Sequence, residues 1–257
     1  KEDIKDEEWL IIPERASNFF PFELLQFRYE SDTTQYHYLG EAVNITYAPS
    51  LSAYAELEKR KNSGKTKKSA ILASANPETE SSTSYMNNLF ALRSEYGNIE
   101  NVDKEIAAIE TILENKKFLE RGYKILSMNS ENITEKKFKS ADLENAKYIH
   151  IAAHGIHDDE NPKYSGILLG RDKDDTEDGI LQAHEIFPLN LNADLVTLSS
   201  CFSGFGEIDP NEGNLGIYRS FLLAGAKSVI ISLWNVEDES TSILFSKFYE
   251  YLKEGNS

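Results

Sequence analysis

The chain has 257 residues, of which 40% are hydrophobic and 11% aromatic, so it can bury a sizeable core and is not wholly disordered. Its 27 basic and 43 acidic side chains give a formal net charge of −16, which argues against direct binding of nucleic acid, because phosphate backbones require a basic surface. A single cysteine, Cys201, excludes an internal disulfide and a cysteine-rich zinc site and favours a reducing, cytoplasmic compartment.

Short β-branched runs alternate with longer amphipathic patterns along the chain. This alternation is typical of βαβ units, so we predict an α/β fold with a mostly parallel sheet covered by helices on both faces. In chain order, the predicted elements are strands Trp9–Ile12 and Val43–Tyr47, helix Leu51–Lys61, strand Ser69–Ser74, helix Val102–Phe118, strand Tyr123–Leu126, a helix from a capping box at Asn132–Glu135 to Ala141, strands Tyr148–Ala152 and Gly166–Leu169, helix Ala183–Phe187, strand Leu195–Ser199, helix Asn214–Ala224, strand Ser228–Leu233 and helix Glu239–Lys253.

Several short motifs are similar to those of other functional classes, but each lacks a residue that its function requires. Gly64-Lys65-Thr66 lacks the glycine that a phosphate-binding loop needs five residues earlier, and Gly204-Phe-Gly206 is not followed by the third glycine of a dinucleotide fingerprint. His154 and His157 have no third metal ligand at a recognisable spacing, and the chain contains no G-x-S-x-G elbow. We therefore expect no cofactor and no metal, and no apolar run approaches the roughly 18 to 20 residues of a membrane span.

Cys201 and His154 each come directly after a predicted strand and close to a glycine. Cys201 follows the apolar strand that ends at Ser199, and His154 follows the strand that ends near Ala152 and precedes Gly155. Because the carboxyl ends of parallel strands lie at one edge of a sheet, the fold brings the thiol and the imidazole to the same edge. Their separation of 47 residues is close to the about 50 residues typical of caspases.

This pair predicts nucleophilic catalysis by a Cys/His dyad. A free thiol has a pKa of about 8.5, so His154 is needed to take its proton and later to protonate the leaving amine. The backbone N–H groups of Gly155 and Cys201 are the expected donors to the oxyanion.

Four segments in this order resemble the CHAT family of caspase-like cysteine peptidases, which are relatives of separase. They are His150–Gly155, Leu198–Gly204, Glu212–Ala226 and Val229–Asp238, and weaker similarity extends over Trp9–Pro13, Pro21–Leu25, Tyr38–Glu41 and Tyr47–Ser50. The resemblance implies a caspase-like sandwich, a dyad of His154 and Cys201, and an attached sensor such as TPR repeats. It also implies a setting in bacterial signalling or anti-phage defence.

The chain departs from the family pattern at three places. Ser203 stands where many members have threonine, and Asn235 replaces the usual proline or aspartate after Trp234. The closing helix and strand of the family are not found before Ser257, so we expect a truncated or processed chain, or one completed by a partner.

Asp238 is the best candidate for a pocket that binds a basic residue of the substrate. In separases, a segment similar to Trp234–Asp238 supplies an aspartate that pairs with the substrate arginine before the scissile bond. Such a pair can form two parallel charge-assisted hydrogen bonds. The alternative is that Asp238 caps the helix beginning near Glu239. Glu212 and Asp194 are further acidic candidates, and residues 141–257 carry 20 acidic and 8 basic side chains, a net charge of −12.

The sequence therefore predicts one CHAT domain over residues 1–257, with an N-terminal half of residues 1–120 and a catalytic half of residues 121–257. The favoured function is a cysteine endopeptidase that cleaves a protein substrate under the control of a sensor or partner, and we expect the cut to follow a basic residue. Two alternatives remain open: a caspase-like scaffold or protein-binding module with dispensable activity, and an unrelated α/β hydrolase or transferase that uses the thiol.

Overall fold

The computed structural model describes residues 7–14, 17, 20–29, 32–61, 69–76, 99, 101–114, 124–156, 158, 161–172, 176–199, 217–232 and 237–254. Within this part of the chain, the residues up to 61 form one compact unit and those from 69 onward form a second, larger one. None of the helices described here combines the length and the apolar composition needed to cross a membrane.

The smaller unit contains two pairs of strands and one helix. Its elements are β1 (Glu7–Ile11), β2 (Gln26–Tyr29), β3 (Asp32–Tyr38), β4 (Val43–Tyr47) and α1 (Leu51–Lys61). β1 and β4 pair in parallel, whereas β2 and β3 pair antiparallel. Leu39, Ala42 and Val43 form its buried cluster.

The larger unit carries the remaining described elements. Its strands are β5 (Ser69–Ala75), β6 (Lys124–Met128), β7 (Ala146–Ala153), β8 (Gly155–Ile156), β9 (Gly166–Leu168), β10 (Ile180–Gln182), β11 (Leu195–Ser199) and β12 (Val229–Ile231), and its helices are α2 (Val102–Leu113), α3 (Glu135–Lys139), α4 (Ala183–Ile186), α5 (Ile217–Ala224) and α6 (Asp238–Glu254). Five of these strands form a parallel sheet in the order β12, β11, β7, β5, β6.

Helices cover both faces of this sheet, as predicted. Ile149 and Ile151 of β7 belong to a buried cluster that includes residues of α3, α4 and α5, whereas Tyr148 and Ala152 belong to a cluster with α2 and α6. Successive side chains of a strand point to opposite faces, so a strand covered by helices on both faces is buried on both. Seven of the eight residues of β7 are buried.

The parallel strands end at one side of the sheet, here called the carboxyl edge and formed by the ends of β5, β7 and β11. Ala152 of β7 pairs with Ser74 of β5 on one side and with Ser199 of β11 on the other. In the register of the sheet, these three strands therefore end within one residue of one another.

A second sheet of three short antiparallel strands, in the order β10, β9, β8, follows β7 directly. His154 lies between β7 and β8. The chain thus passes from the parallel sheet into the antiparallel one at this histidine.

Most predicted elements are confirmed, and β4, α1 and β11 have the predicted bounds. The capping box at Asn132–Glu135 is wrong: Thr134 is the N-cap, its Oγ1 accepts from the N–H of Lys137 at 3.2 Å, and α3 begins at Glu135. The sequence did not predict β2, β3, β8 and β10, which are short or polar. The predicted helix end Phe118 and the strand limits Tyr123 and Leu233 lie outside the described residues.

Candidate functional site

His154 lies at the carboxyl edge, immediately after the last residue of β7. Only 9% of its surface is exposed, and its backbone carbonyl accepts a hydrogen bond from the N–H of Leu168 at 2.8 Å. A strand therefore holds the chain on each side of this histidine. The backbone from which the imidazole projects is fixed more firmly than it would be in a loop.

Gly155 presents its backbone N–H away from β9. It lies opposite Ile167 in the antiparallel pair of β8 and β9, and the bond from Leu168 to the carbonyl of His154 makes this a non-hydrogen-bonded position. The N–H of Gly155 is therefore not used by the ladder with β9. This geometry suits the oxyanion role expected for it.

Cys201 and Glu212 lie outside the described residues, so their roles stay predictions. The described strand β11 ends at Ser199, two residues before Cys201, and Ser199 pairs with Ala152, two residues before His154. Cys201 and His154 therefore each follow this pair of residues by two positions in the sequence.

Asp238 is the first residue of α6. The carbonyl of Glu237 accepts the N–H of Thr241 at 3.0 Å, which is the first hydrogen bond of the helix and places Glu237 at the N-cap position. The alternative in which Asp238 is the capping residue is therefore wrong, since this residue lies one position inside the helix.

Asp194 lies at the end of the sheet opposite the carboxyl edge. It directly precedes β11, its N–H donates to the carbonyl of Lys147 at 2.8 Å, and its carboxylate pairs with Lys227 at 2.9 Å. Five residues of strand span about 16 Å, so the structure does not bring Asp194 together with His154.

Asp103, which was not among the predicted site residues, lies at the carboxyl edge in the first turn of α2. Its Oδ1 atom accepts hydrogen bonds from Ser74 Oγ at 2.5 Å, from Ser130 Oγ at 2.9 Å and from the N–H of Ser130 at 3.1 Å. Partial burial raises the pKa of Asp103, but these hydrogen bonds outweigh that effect and hold the pKa below its ordinary value. The carboxylate is therefore ionised at neutral pH.

Asp103 was missed because its partners are distant in the sequence. Ser74 is 29 residues away and Ser130 is 27 residues away. The only local signal was the position of an acidic residue at the start of a predicted helix, which is common for reasons of helix polarity alone.

A buried polar pair lies beneath the carboxyl edge on the face covered by α2 and α6. His150 Nε2 of β7 is 2.7 Å from Glu105 Oε1 of α2, and the two side chains are 0% and 1% exposed. The rings of Phe245 and Tyr249 of α6 contact the imidazole edge-on. The pair therefore connects the strand that leads to His154 with both helices on that face.

Three carboxylates surround the ammonium group of Lys139 near the loop between β9 and β10. Lys139 Nζ lies within 3.0 Å of an oxygen of each of Glu135, Glu177 and Glu185. Burial raises the pKa of Glu135 to about 7, with Lys139 acting in the opposite direction. The spacing of the carboxylates would suit a metal ion, but Lys139 already supplies a cation to all three.

Comparison with known proteins gives the family. The chain is 33% identical over 76 residues to Tetratricopeptide repeat protein 28 of Mus musculus, and this similarity covers 30% of the chain and 3% of the mouse protein. The chain thus matches only a small part of that relative. A model of the CHAT domain matches residues 2–257, and the chain therefore belongs to the CHAT domain family, which is related to the caspase-like peptidases.

Proposed function

We propose that the protein is a cysteine endopeptidase in which Cys201 is the nucleophile and His154 the general base and acid. The observation that carries this proposal is the pairing of Ser199 with Ala152, because Cys201 and His154 each follow this pair by two residues. Family membership supports the same chemistry.

The proposed reaction begins when His154 takes the proton of the Cys201 thiol. The thiolate attacks the carbonyl carbon of the scissile peptide bond, and the N–H groups of Gly155 and Cys201 stabilise the oxyanion. The carbon–nitrogen bond then breaks and His154 gives its proton to the leaving amine. Water attacks the resulting thioester with His154 again accepting the proton, which releases the carboxylic acid and restores the thiol.

We propose that the enzyme prefers a basic residue before the scissile bond and that Asp238 binds it. The position of Asp238 as the first residue of α6, with Glu237 at the N-cap, favours this proposal over the alternative in which Asp238 is the capping residue. The net charge of −12 in residues 141–257 favours encounter with basic substrates. Glu212 remains a further candidate for the same pocket.

We propose that a TPR-like sensor or partner protein regulates this activity in the cytoplasm, in signalling or anti-phage defence. The name of the mouse relative supports a TPR-type association. The same likeness favours a second candidate function, a caspase-like scaffold or protein-binding module in which cleavage is dispensable.

The experiment that separates these functions is incubation with positional peptide libraries. We expect the wild-type protein to cleave peptides and Cys201→Ala and His154→Ala to lose at least about 1,000-fold in kcat/KM, since removing a member of a catalytic unit costs about this much or more. His184→Ala, a change at an exposed histidine of α4, is the matched control and should retain activity. Cleavage by Cys201→Ala at the wild-type rate contradicts the peptidase proposal.

A further inference from the structure

We propose that Asp103 binds a basic side chain of the substrate as a second anionic subsite at the carboxyl edge. This inference rests on the proposed function, because it requires a peptide bound next to His154. It differs from the role of Asp238, which begins the helix after β12, three strands away from β5 in the sheet order.

The strand register places Asp103 close to the proposed dyad. Ser74, which donates to Asp103, pairs with Ala152, and His154 is two residues beyond Ala152. Neighbouring strands lie about 4.8 Å apart and two residues of strand span about 6.6 Å. An extended peptide that reacts at His154 therefore reaches Asp103 within two to three of its own residues, at about 3.3 Å per residue.

The hydrogen bonds of Asp103 orient its carboxylate for a ligand. All three donors bind Oδ1, and among the described residues no donor binds Oδ2. The side chain is nevertheless exposed to solvent. A carboxylate already held in one orientation by Ser74 of β5 and by Ser130 of the turn after β6 loses little freedom when it binds a guanidinium or ammonium group.

Neighbouring charges leave Asp103 available to a basic ligand. Lys104 is adjacent in sequence, but its ammonium group donates to Asn101 Oδ1 at 2.9 Å. Among the described residues, no ion pair involves Asp103. A substrate cation would therefore not have to displace an internal one.

The hydrogen bonds to Ser74 and Ser130 also attach the start of α2 to the sheet, which is a structural role that needs no ligand. The two roles have different requirements: attachment needs an acceptor oxygen, whereas binding of a cation needs a negative charge. Asp103→Asn keeps an oxygen at this position and removes the charge, so it separates them.

The test uses pairs of peptides that carry arginine or its uncharged isostere citrulline at each position around the scissile bond. The measured quantity is the ratio of kcat/KM for the arginine peptide to that for the citrulline peptide. Asp103→Asn should lower this ratio at least about 10-fold at one position, or about 1.4 kcal/mol. Glu114→Gln, an exposed change at the other end of α2, removes the same charge and should leave the ratio unchanged.

Because both peptides of a pair meet the same preparation, the ratio does not depend on how much of the variant is folded. Cleavage that requires Cys201 but shows the wild-type ratio in Asp103→Asn overturns this inference alone. Absence of cleavage, or cleavage that survives Cys201→Ala, contradicts the proposed function and this inference with it.

Discussion

His150 Nε2 lies 2.7 Å from Glu105 Oε1, and this contact joins two side chains that water does not reach. His150 is four residues before His154 on the same strand, and Glu105 lies in the first turns of α2. The pair therefore fixes α2 against the strand that positions the proposed catalytic histidine. Burial of polar groups is costly unless they are paired, so loss of either partner leaves the other unsatisfied.

We expect Glu105→Ala to lower the free energy of unfolding by about 3 to 5 kcal/mol, the usual cost of removing one partner of a buried pair. Glu105→Gln keeps an oxygen that can accept a hydrogen bond and should cost less, about 1 to 3 kcal/mol. Urea unfolding of both variants measures the difference. Glu114→Ala, at the exposed residue directly after the same helix, should stay within about 0.5 kcal/mol of wild type. A Glu105→Ala protein as stable as that control would show that the pair does not hold α2.

Glu135 makes the stability of the larger unit depend on pH. Its pKa is raised from 4.5 to about 7 in the folded state, so the folded protein binds more protons than the unfolded chain between these values. The contribution of Glu135 to stability is therefore complete below pH about 4.5 and is lost as the pH rises through about 7. The lowered pKa of Glu185 has the opposite sign, and its contribution is lost only as the pH falls below its ordinary range.

We expect Glu135→Gln to remove this dependence. Relative to wild type, the variant should gain on the order of 1 to 3 kcal/mol between pH 4.5 and 7.5. Unfolding free energies measured across this range test the prediction, with Glu114→Gln as the control. A constant difference between Glu135→Gln and wild type over the whole range would contradict it.

The fold could be predicted from the sequence because the central strands are mainly apolar runs that alternate with helical patterns. The run Tyr148–Ala152 lies within β7, and the predicted helix over 102–118 begins where α2 begins. The buried position of Glu105 was also within reach, because it precedes Ile109 by four residues on the buried face of the same helix.

The remainder of the site depends on contacts between distant residues. No local pattern relates Asp103 to Ser74 and Ser130. Asp194 could have been excluded from the sequence, because it directly precedes the strand Leu195–Ser199, whose bounds were predicted, whereas Cys201 follows that strand. Acidic composition suggested a basic substrate but could not distinguish carboxylates at the two ends of the sheet.

Asp238→Asn should reduce cleavage after arginine by about 30-fold or more, because loss of one member of a buried charge pair costs about 2 to 5 kcal/mol. Since Asp238 is inside α6 and not at its N-cap, stability should fall only by about 0.3 to 1 kcal/mol, the usual effect of one charge near a helix start. Rates for matched arginine, aspartate and leucine peptides, together with melting temperatures, test both statements. A wild-type preference for aspartate or leucine would refute the assignment.

The most direct test of the proposed dyad is the pH dependence of alkylation of Cys201 by iodoacetamide. Cys201 is the only thiol in the chain, so the measured rate reports on this residue alone, without substrate or activator. We predict that the wild-type protein reacts well below pH 8.5, because His154 stabilises the thiolate, and that His154→Ala reacts only as an ordinary thiol with a pKa of about 8.5. Identical profiles for the two proteins would contradict a Cys201/His154 dyad.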